Sequence, residues 1–457
     1  MYETELIFDY NREPSRDVLC IDCKSFYASV ECVERGLDPL EAKLVVMSYP
    51  SQDTSQRGSG LILASSPQAK KAYHISNVSR ARDLPFPYPE DLVIVPPQMQ
   101  LYMQKNKEIN AIYQTYADKD NHHVYSVDES FLDVTGSLRL FGHDTAWEMA
   151  RTIQDDVYKQ TGIYTVIGIG DNPLLAKLAL DNAAKKTPQR IAQWRYQDVP
   201  ETVWKIPEMT DFWGIGRRTA KRLNNIGIFS ISDLAQANFY ELKEHLGILG
   251  AQLLAHSWGI DRSFLGDTIK PCSKSIGNSQ VLDRDYSDRS ELEIVIREMA
   301  DQIATRLRKA GAKAQVLSLG LGYSKGYIDE KGKTNSHQQL KVPPTHSSKE
   351  ISHHLLTIFE EKYTNQIIRT ISVNSGNLIY SRATQLDLFA DPNQDEKDTK
   401  LDQIVDLVRK KYGFKALVRA NSLLEGGRAI ARTSLVGGHA GGMGGLEEGE
   451  ENAEKNR

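Results

Sequence analysis

The sequence predicts an α+β multidomain protein, and three observations carry that expectation. The chain has 457 residues, more than one hydrophobic core ordinarily supports, so several domains are expected. β-Branched segments with period-two alternation, such as Val18–Asp22 and Val124–Gly136, are interleaved with stretches whose apolar residues recur at helical spacing, such as Phe26, Val30 and Val33. The composition, 40% hydrophobic and 25% charged, is that of an ordinary globular protein.

The net charge of -4 gives no sign of a polyanionic partner, so any nucleic-acid contact must come from local basic patches. Residues 1–16 are polar and carry acids, unlike a signal peptide, and no apolar run is long enough to cross a membrane. Four cysteines in such a length do not make a disulfide framework and fit a reducing cytoplasm, which is the expected compartment.

Asp17–Glu31 begins as a buried strand and turns into a helix. Asp22 closes the strand just before a helix N-terminus. That arrangement suits a metal beside phosphate, the carboxylate taking the ion while first-turn N–H groups face the anion. The plainer reading is that Asp22 only ends the strand. Cys20, Cys23 and Cys32 do not read as a zinc set, since Cys20 and Cys23 point to different faces of an extended strand and no fourth ligand lies nearby.

Strands are expected at Lys43–Met47 and Gly60–Ser66, with a turn or mobile loop at Ser51–Gly60 between them. A helix follows with Pro67 at its first position. Leu92–Val95 reads as a strand and Met99 to about Tyr116 as a helix, while His122 and His123 read as loop residues without a role. Val124–Gly136 then reads as strand, tight turn, strand, with Asp128 and Glu129 near the bend. On a flat strand adjacent acids point to opposite faces, but at a bend both can approach one point, as a divalent cation requires. A solvated acidic turn is the local alternative.

Thr145–Gln160 reads as an amphipathic helix and Tyr164–Gly170 as a strand. Gly168-Ile169-Gly170 and the residues after it lack the Gly-Lys-Ser/Thr core of a phosphate loop. Phe212–Leu223 looks like a helix–hairpin–helix. Gly214 and Gly216 permit a hairpin whose N–H groups meet a DNA phosphate, and Arg217, Arg218, Lys221 and Arg222 add positive charge. A helical hairpin packed for stability is the alternative, and Leu246–Gly250 is a weaker second copy. Residues 265–271 read as a linker. Beyond it, Lys274–Ser279 opens a further domain with a helix over Glu291–Ala310 and strands at Ala314–Tyr323 and Arg369–Val373. Arg306, Arg308, Lys309 and Lys313 crowd one end of that helix, either facing a nucleic-acid backbone or simply solvated. Gln385-Leu386-Asp387-Leu388-Phe389 is a compact apolar peptide in a polar tail, the form in which a short segment docks in a groove. Leu401–Tyr412 reads as an amphipathic helix, and from Gly437 onward disorder is expected.

Asp22-x-x-x-Phe26-Tyr27-Ala28-Ser29-Val30-Glu31 and Ser126-Val127-Asp128-Glu129-Ser130-Phe131-Leu132-Asp133 resemble the two carboxylate motifs of Y-family DNA polymerases, in the UmuC/ImpB/MucB branch that copies damaged DNA. The similarity runs from about Asp17 to at least Ser381. It implies a right-hand polymerase with a mixed α/β palm (1–35 and 93–187), small fingers (36–92), an all-α helix–hairpin–helix thumb (188–264) and an α/β little finger (272–382). A tail (383–457) would carry the sliding-clamp peptide, because Gln385, Leu386, Leu388 and Phe389 match the Gln-Leu-x-Leu-Phe pattern of bacterial polymerases.

The implied reaction is template-directed, error-prone joining of dNTPs to a primer 3′-hydroxyl, in damage tolerance and SOS repair. Two Mg²⁺ ions per site would activate the attacking oxygen and neutralise the leaving pyrophosphate. By resemblance Asp22 and Asp128 bridge both ions, Glu129 faces the primer side, and the Cys23 carbonyl adds a ligand on the nucleotide side. Tyr27 is the expected steric gate against a ribose 2′-hydroxyl, with Phe26 packed beside or beneath it. The family usually holds the triphosphate with a Tyr and an Arg three residues apart; this chain has Pro67 and Lys70 there. Lys neutralises phosphate without the bidentate fork of Arg. By resemblance the expected nucleotide contacts are Phe26, Tyr27, Ser66, Lys70 and a lysine after the palm helix, Lys185 or Lys186, of which Lys185 is favoured. Expected partners are primer–template DNA, dNTPs, a β sliding clamp and accessory subunits, with no membrane. Two other readings remain open on the sequence: a polymerase-inactive, clamp-bound scaffold of the same family, and a helix–hairpin–helix DNA-repair protein without nucleotide chemistry.

Overall fold

The computed structural model describes residues 8–48, 61–76, 79–267, 274–380, 392–436 and 439–440, in two compact units, Met1–Thr268 and Ile269–Arg457. In chain order the first unit holds β1 (Val18–Cys23), α1 (Phe26–Val33), β2 (Leu44–Met47), β3 (Ile62–Ser65), α2 (Pro67–Tyr73), β4 (Val93–Val95), α3 (Met99–Tyr113), β5 (His122–Val124) and β6 (Glu129–Asp133). It continues with α4 (Ala146–Thr161), β7 (Thr165–Gly170), α5 (Pro173–Asn182), β8 (Ile191–Trp194), α6 (Arg217–Asn224), α7 (Ile231–Ala235), α8 (Phe239–Leu246) and α9 (Ile248–Ser257).

A five-stranded sheet, ordered β5-β6-β1-β7-β8, is the frame of this unit. β1 lies at its centre, antiparallel to β6 and β7, and only Asp22 among its residues is not fully buried. Helix α5 lies unusually close to the sheet because Gly168 and Gly170 present no side chain to it. A Cβ on Gly168 would sit 2.1 Å from the Ala176 carbonyl oxygen, and one on Gly170 would sit 2.4 Å from the Ala176 nitrogen. Those glycines therefore serve strand–helix packing. Asn172 starts α5 by accepting from Leu175 N–H at 2.9 Å, with Pro173 next in the first turn. Val18, Cys20 and Phe131 of the sheet, Leu174 and Leu178 of α5, and Leu223, Leu234, Leu242 and Leu253 of α6–α9 share one apolar core. A smaller three-stranded sheet, β3-β2-β4, has its own core of Val45, Met47, Ile62, Ala69 and Leu92.

The second unit is a four-stranded antiparallel sheet backed by two helices. In chain order come β9 (Ile276–Tyr286), α10 (Arg289–Lys309), β10 (Ala314–Tyr323), β11 (Asn335–Thr345), α11 (Ser348–Lys362) and β12 (Ile368–Gly376), with sheet order β11-β10-β12-β9. A final helix, α12 (Pro392–Tyr412), and the segment after it pack on α10. The Arg308 side chain on α10 is only 8% exposed in that contact. It pairs with Asp402 at 3.0 Å and Asp406 at 2.6 Å and donates to the His346 carbonyl at 2.9 Å. Asp301 is likewise held by Arg409 and Arg419.

Several expectations change. Arg308 is committed to the C-terminal segment, so it does not face a nucleic acid. His122 and His123 form β5 itself, and the His122 ring meets Asn110 Oδ1 at 3.0 Å. Strands β9 and β11 and helix α11 were not anticipated at these lengths. The Gln385–Phe389 peptide and the residues after Ala440 lie outside the described residues.

Candidate active site

The site forms where β1 and β6 run out of the sheet. Asp22 stands directly opposite Glu129 in the antiparallel register, so both side chains leave the same face. It is the face that carries Cys20 and Phe131 into the core under α5. Asp128 ends the turn just before β6, and its carbonyl accepts from Cys23 N–H at 2.9 Å. Ser126 makes the turn rigid: its hydroxyl accepts from Glu129 N–H at 3.0 Å and donates to Asp128 Oδ1 at 2.7 Å. The bend thus brings Asp128 to the edge of the site while Glu129 stays in the ladder.

Helix α5 and the turn after it supply the opposite charge. Lys185 Nζ lies 3.3 Å from Asp22 Oδ2 and 2.8 Å from Asp181 Oδ1. Lys177 Nζ, on the buried side of α5, binds Glu129 Oε1 and lies 3.1 Å from Asp181 Oδ2. The charges alternate along Asp22–Lys185–Asp181–Lys177–Glu129. Burial above all, with Asp128 and Glu129 beside it, raises the Asp22 carboxyl to about 7 against the pull of Lys185. Burial works against the Lys177 charge, yet Cys20, Glu129 and Asp181 hold its pKa above the ordinary lysine range. Lys177 and Asp181 were not singled out in the sequence; the signal available was their i, i+4 spacing on a helix that returns to the carboxylate strands.

Lys70, from α2, reaches the same place, with Nζ 3.4 Å from Ser25 Oγ. Its pKa is lowered by burial and by Lys24 and Lys185, against the pull of Asp22. Ser25 holds a left-handed conformation, φ +49°, which swings the chain sharply from β1 into α1. Ser66 does not join the cluster. It is buried, and its hydroxyl donates to the Ala42 carbonyl at 2.6 Å while accepting from Leu44 N–H and Ala69 N–H. That hydroxyl is a helix cap with its donor and both acceptor positions used, so it is not the expected nucleotide contact.

Tyr27 lies flat on Tyr102, ring centroids 4.5 Å apart at 16°. Tyr102 is itself fixed by donating to Glu31 at 2.6 Å, and Gln98 and Arg35 hold the same carboxylate. Burial and Asp128 both raise the Tyr27 pKa. Phe26 is buried, 5.8 Å from Tyr27. The Cys23 thiol is buried against the Tyr113 hydroxyl at 3.9 Å.

Among the described residues no three His, Cys, Asp or Glu side chains already stand around one point as metal ligands. Glu129 is turned to Lys177 and Asp22 to Lys185. The donor set still fits a hard divalent cation: it is all oxygen, and the upward push on Asp22 comes partly from its two neighbouring acids.

The helix–hairpin–helix residues stand apart from this cluster. Gly214 adopts φ +99° and Gly216 caps α6 at its N-terminus. Gly214, Gly216, Arg217, Arg218 and Lys221 are all exposed along one short hairpin and helix. Trp213 beside them donates to the Tyr125 hydroxyl at 3.4 Å, linking that hairpin to the carboxylate turn. Gly247, at φ +68°, turns α8 into α9.

Residues 21–181 match the model of the impB/mucB/samB family, residues 273–388 match its C-terminal domain and residues 196–228 match the IMS family HHH motif. The chain belongs to the impB/mucB/samB family. It is 39% identical to UvrX of Bacillus subtilis (strain 168), whose name describes UV-damage repair, over 95% of this chain and all of that one. It is 33% identical to DNA polymerase IV 2 of the same organism, over 92% of this chain and 98% of the relative. A Y-family DNA polymerase chimera, Dbh-Dpo4(243-245)-Dbh, matches it with a TM-score of 0.61 at 20% identity, over 80% of this chain and all of the chimera. The fold is therefore that of a Y-family polymerase, with palm, fingers, thumb and little finger. Y-family polymerases use divalent metal ions. Among the described residues no helix is long and apolar enough to cross a membrane.

Proposed function

We propose that this chain extends a DNA primer opposite a template by two-metal phosphoryl transfer, continuing past damaged bases with low fidelity. It is a DNA-directed DNA polymerase of the Y family, with template DNA and dNTPs as substrates. The observation that carries the mechanism is the register of Asp22 against Glu129, with Asp128 at the adjoining turn and Lys185 and Lys70 beside them.

Asp22, Asp128 and Glu129, with the Cys23 carbonyl, would hold two Mg²⁺ ions. When bound, such ions lower the pKa of the primer hydroxyl and neutralise charge on the departing pyrophosphate. The chain's own residues do the rest. Lys70 and Lys185 neutralise the triphosphate, Lys185 exchanging Asp22 for phosphate oxygen. Tyr27, held flat by Tyr102, blocks the place of a 2′-hydroxyl. Gly214 and Gly216 offer N–H groups to a DNA phosphate, flanked by Arg217, Arg218 and Lys221. We assign palm to 1–35 and 93–187, fingers to 36–92, thumb to 188–264, linker to 265–271 and little finger to 272–382. Gln385, Leu386, Leu388 and Phe389 would bind a β sliding clamp, in a cytoplasmic, SOS-linked role with accessory subunits.

The repair-protein reading without nucleotide chemistry is not favoured, because the family match spans the carboxylate region, 21–181. The test is primer extension by the full chain opposite an intact and an abasic template, with and without clamp. Templated insertion opposite both, stimulated by clamp and unstimulated after Leu388→Ala with Phe389→Ala, is expected. Mg²⁺-independent or untemplated addition would contradict the mechanism, and unchanged stimulation in the double variant would contradict the clamp assignment.

A further inference from the structure

A cavity of about 310 Å³ opens between α4, the start of β7 and the Pro188–Arg190 loop, and the carboxylate cluster makes no use of it. Its size is at the low end for a small-molecule site. Thr165, which lines it, is 2% exposed and its Oγ1 has no hydrogen-bond partner. Arg190, also in the wall, keeps a buried Nε without a partner. Buried polar atoms are almost always paired, so two orphans behind one cavity wall mark a wall short of polar partners.

The wall is also built and held. Arg190 adopts a left-handed φ of +58°, which a non-glycine residue takes only when its surroundings impose it. They do: its N–H donates to the Thr187 carbonyl at 3.1 Å, and its carbonyl accepts from Ile167 at 2.9 Å and from Gln154 at 3.2 Å. The guanidinium is thereby carried 5.1 Å over the Tyr164 ring. Tyr164 stacks on Tyr158 at 4.6 Å, and Tyr158 remains 44% exposed. Arg151 stands two turns before Tyr158 on α4 and is exposed. Two guanidinium groups against the single carboxylate of Asp155 leave the lining net positive.

An anion on the arginines and a planar group on an exposed tyrosine together describe a nucleotide. We propose that this cavity is a second nucleotide site, taking one nucleotide unit with its phosphate on Arg151 and Arg190 and its base against Tyr158. The unit comes either from a free nucleotide or from single-stranded nucleic acid, which share this chemistry. The proposal goes beyond the polymerase reading and does not rest on it.

The test is photo-crosslinking of the full chain with 8-azido-2′-deoxyadenosine 5′-monophosphate in EDTA, comparing wild type, Arg151→Gln and Tyr158→Ala. The label is expected in α4 or in the Pro188–Arg190 loop, with affinity lowered about tenfold in either variant. Primer extension by both variants should stay at the wild-type rate. Displacement by unlabelled dAMP assigns a free nucleotide, and displacement only by a four-nucleotide single strand assigns a strand. Label that maps only elsewhere, or that survives both substitutions unchanged, overturns the proposal.

Discussion

Lys177, on the buried side of α5, holds the carboxylate of Glu129 on β6, and the same ammonium is anchored again by Asp181. Neither end of that ion pair is more than 13% exposed, so neither charge is satisfied by water if the other is removed. Lys177→Met should therefore destabilise the metal-free protein by about 2–4 kcal/mol in chemical denaturation. Adding Glu129→Gln to it should restore part of that stability without restoring primer extension. Equal stability in the single and double variants would show that the pair is not coupled.

Tyr27 is fixed by its stack on Tyr102, and Tyr102 by Glu31. Tyr27→Ala should lose about 0.5–1.5 kcal/mol of aromatic contact and leave the fold intact. It should also gain ribonucleotide insertion relative to wild type, read from extension with rNTPs. Tyr102→Leu should show the same gain more weakly, because the ring would remain but lose its support. Continued exclusion of rNTPs by Tyr27→Ala would remove Tyr27 from the gate.

Asp22 carries a pH signature. Its pKa of about 7 in the fold lies above the ordinary aspartate value of about 3.9, so the native state binds more protons than the unfolded chain between those limits. Stability of the metal-free protein should fall as pH rises through that window, and the loss should be complete above about pH 7. Asp22→Asn should flatten this dependence and be more stable than wild type by over about 1 kcal/mol near pH 8, with the difference gone near pH 4. Mg²⁺ should stabilise wild type more than the variant. Parallel pH profiles would contradict this account of the site.

Gly168 sets how closely α5 lies on the sheet, since a Cβ there would meet the Ala176 carbonyl oxygen at 2.1 Å and the Leu180 nitrogen at 2.4 Å. Gly168→Ala should cost about 1–3 kcal/mol or more and lower primer extension, because moving α5 moves Lys177 and Lys185 from their carboxylates. A melting temperature unchanged from wild type would count against that close approach.

The carboxylate site was legible because its signal is local. Asp22 is the one charge in the otherwise apolar strand Val18–Cys23, and Asp128 and Glu129 interrupt an alternating stretch, so both motifs stand out from their neighbours. What escaped was whatever depends on elements meeting across the fold. Lys177 sits in an apolar helix and looks like a stray charge until α5 is laid on the sheet and its ammonium meets Glu129 of β6. Tyr102 looks like a core aromatic until Tyr27 is found lying on it. Ser66 is ambiguous in the same way, because a cap hydroxyl and a ligand hydroxyl are the same in sequence. Strand β11 is mostly polar and half solvated, so it gave little of the apolar alternation by which strands are recognised. Arg308 was placed on a basic helix end, and only the packing of α12 reveals Asp402 and Asp406 above it.

The measurement that tests the central claim most directly is templated primer extension with Mg²⁺ by wild type and Asp128→Ala side by side, each checked for folding by thermal denaturation. The account predicts extension by wild type and none by a folded Asp128→Ala. Extension by Asp128→Ala near the wild-type rate would contradict it, as would a wild type that stays inert with clamp and clamp loader present.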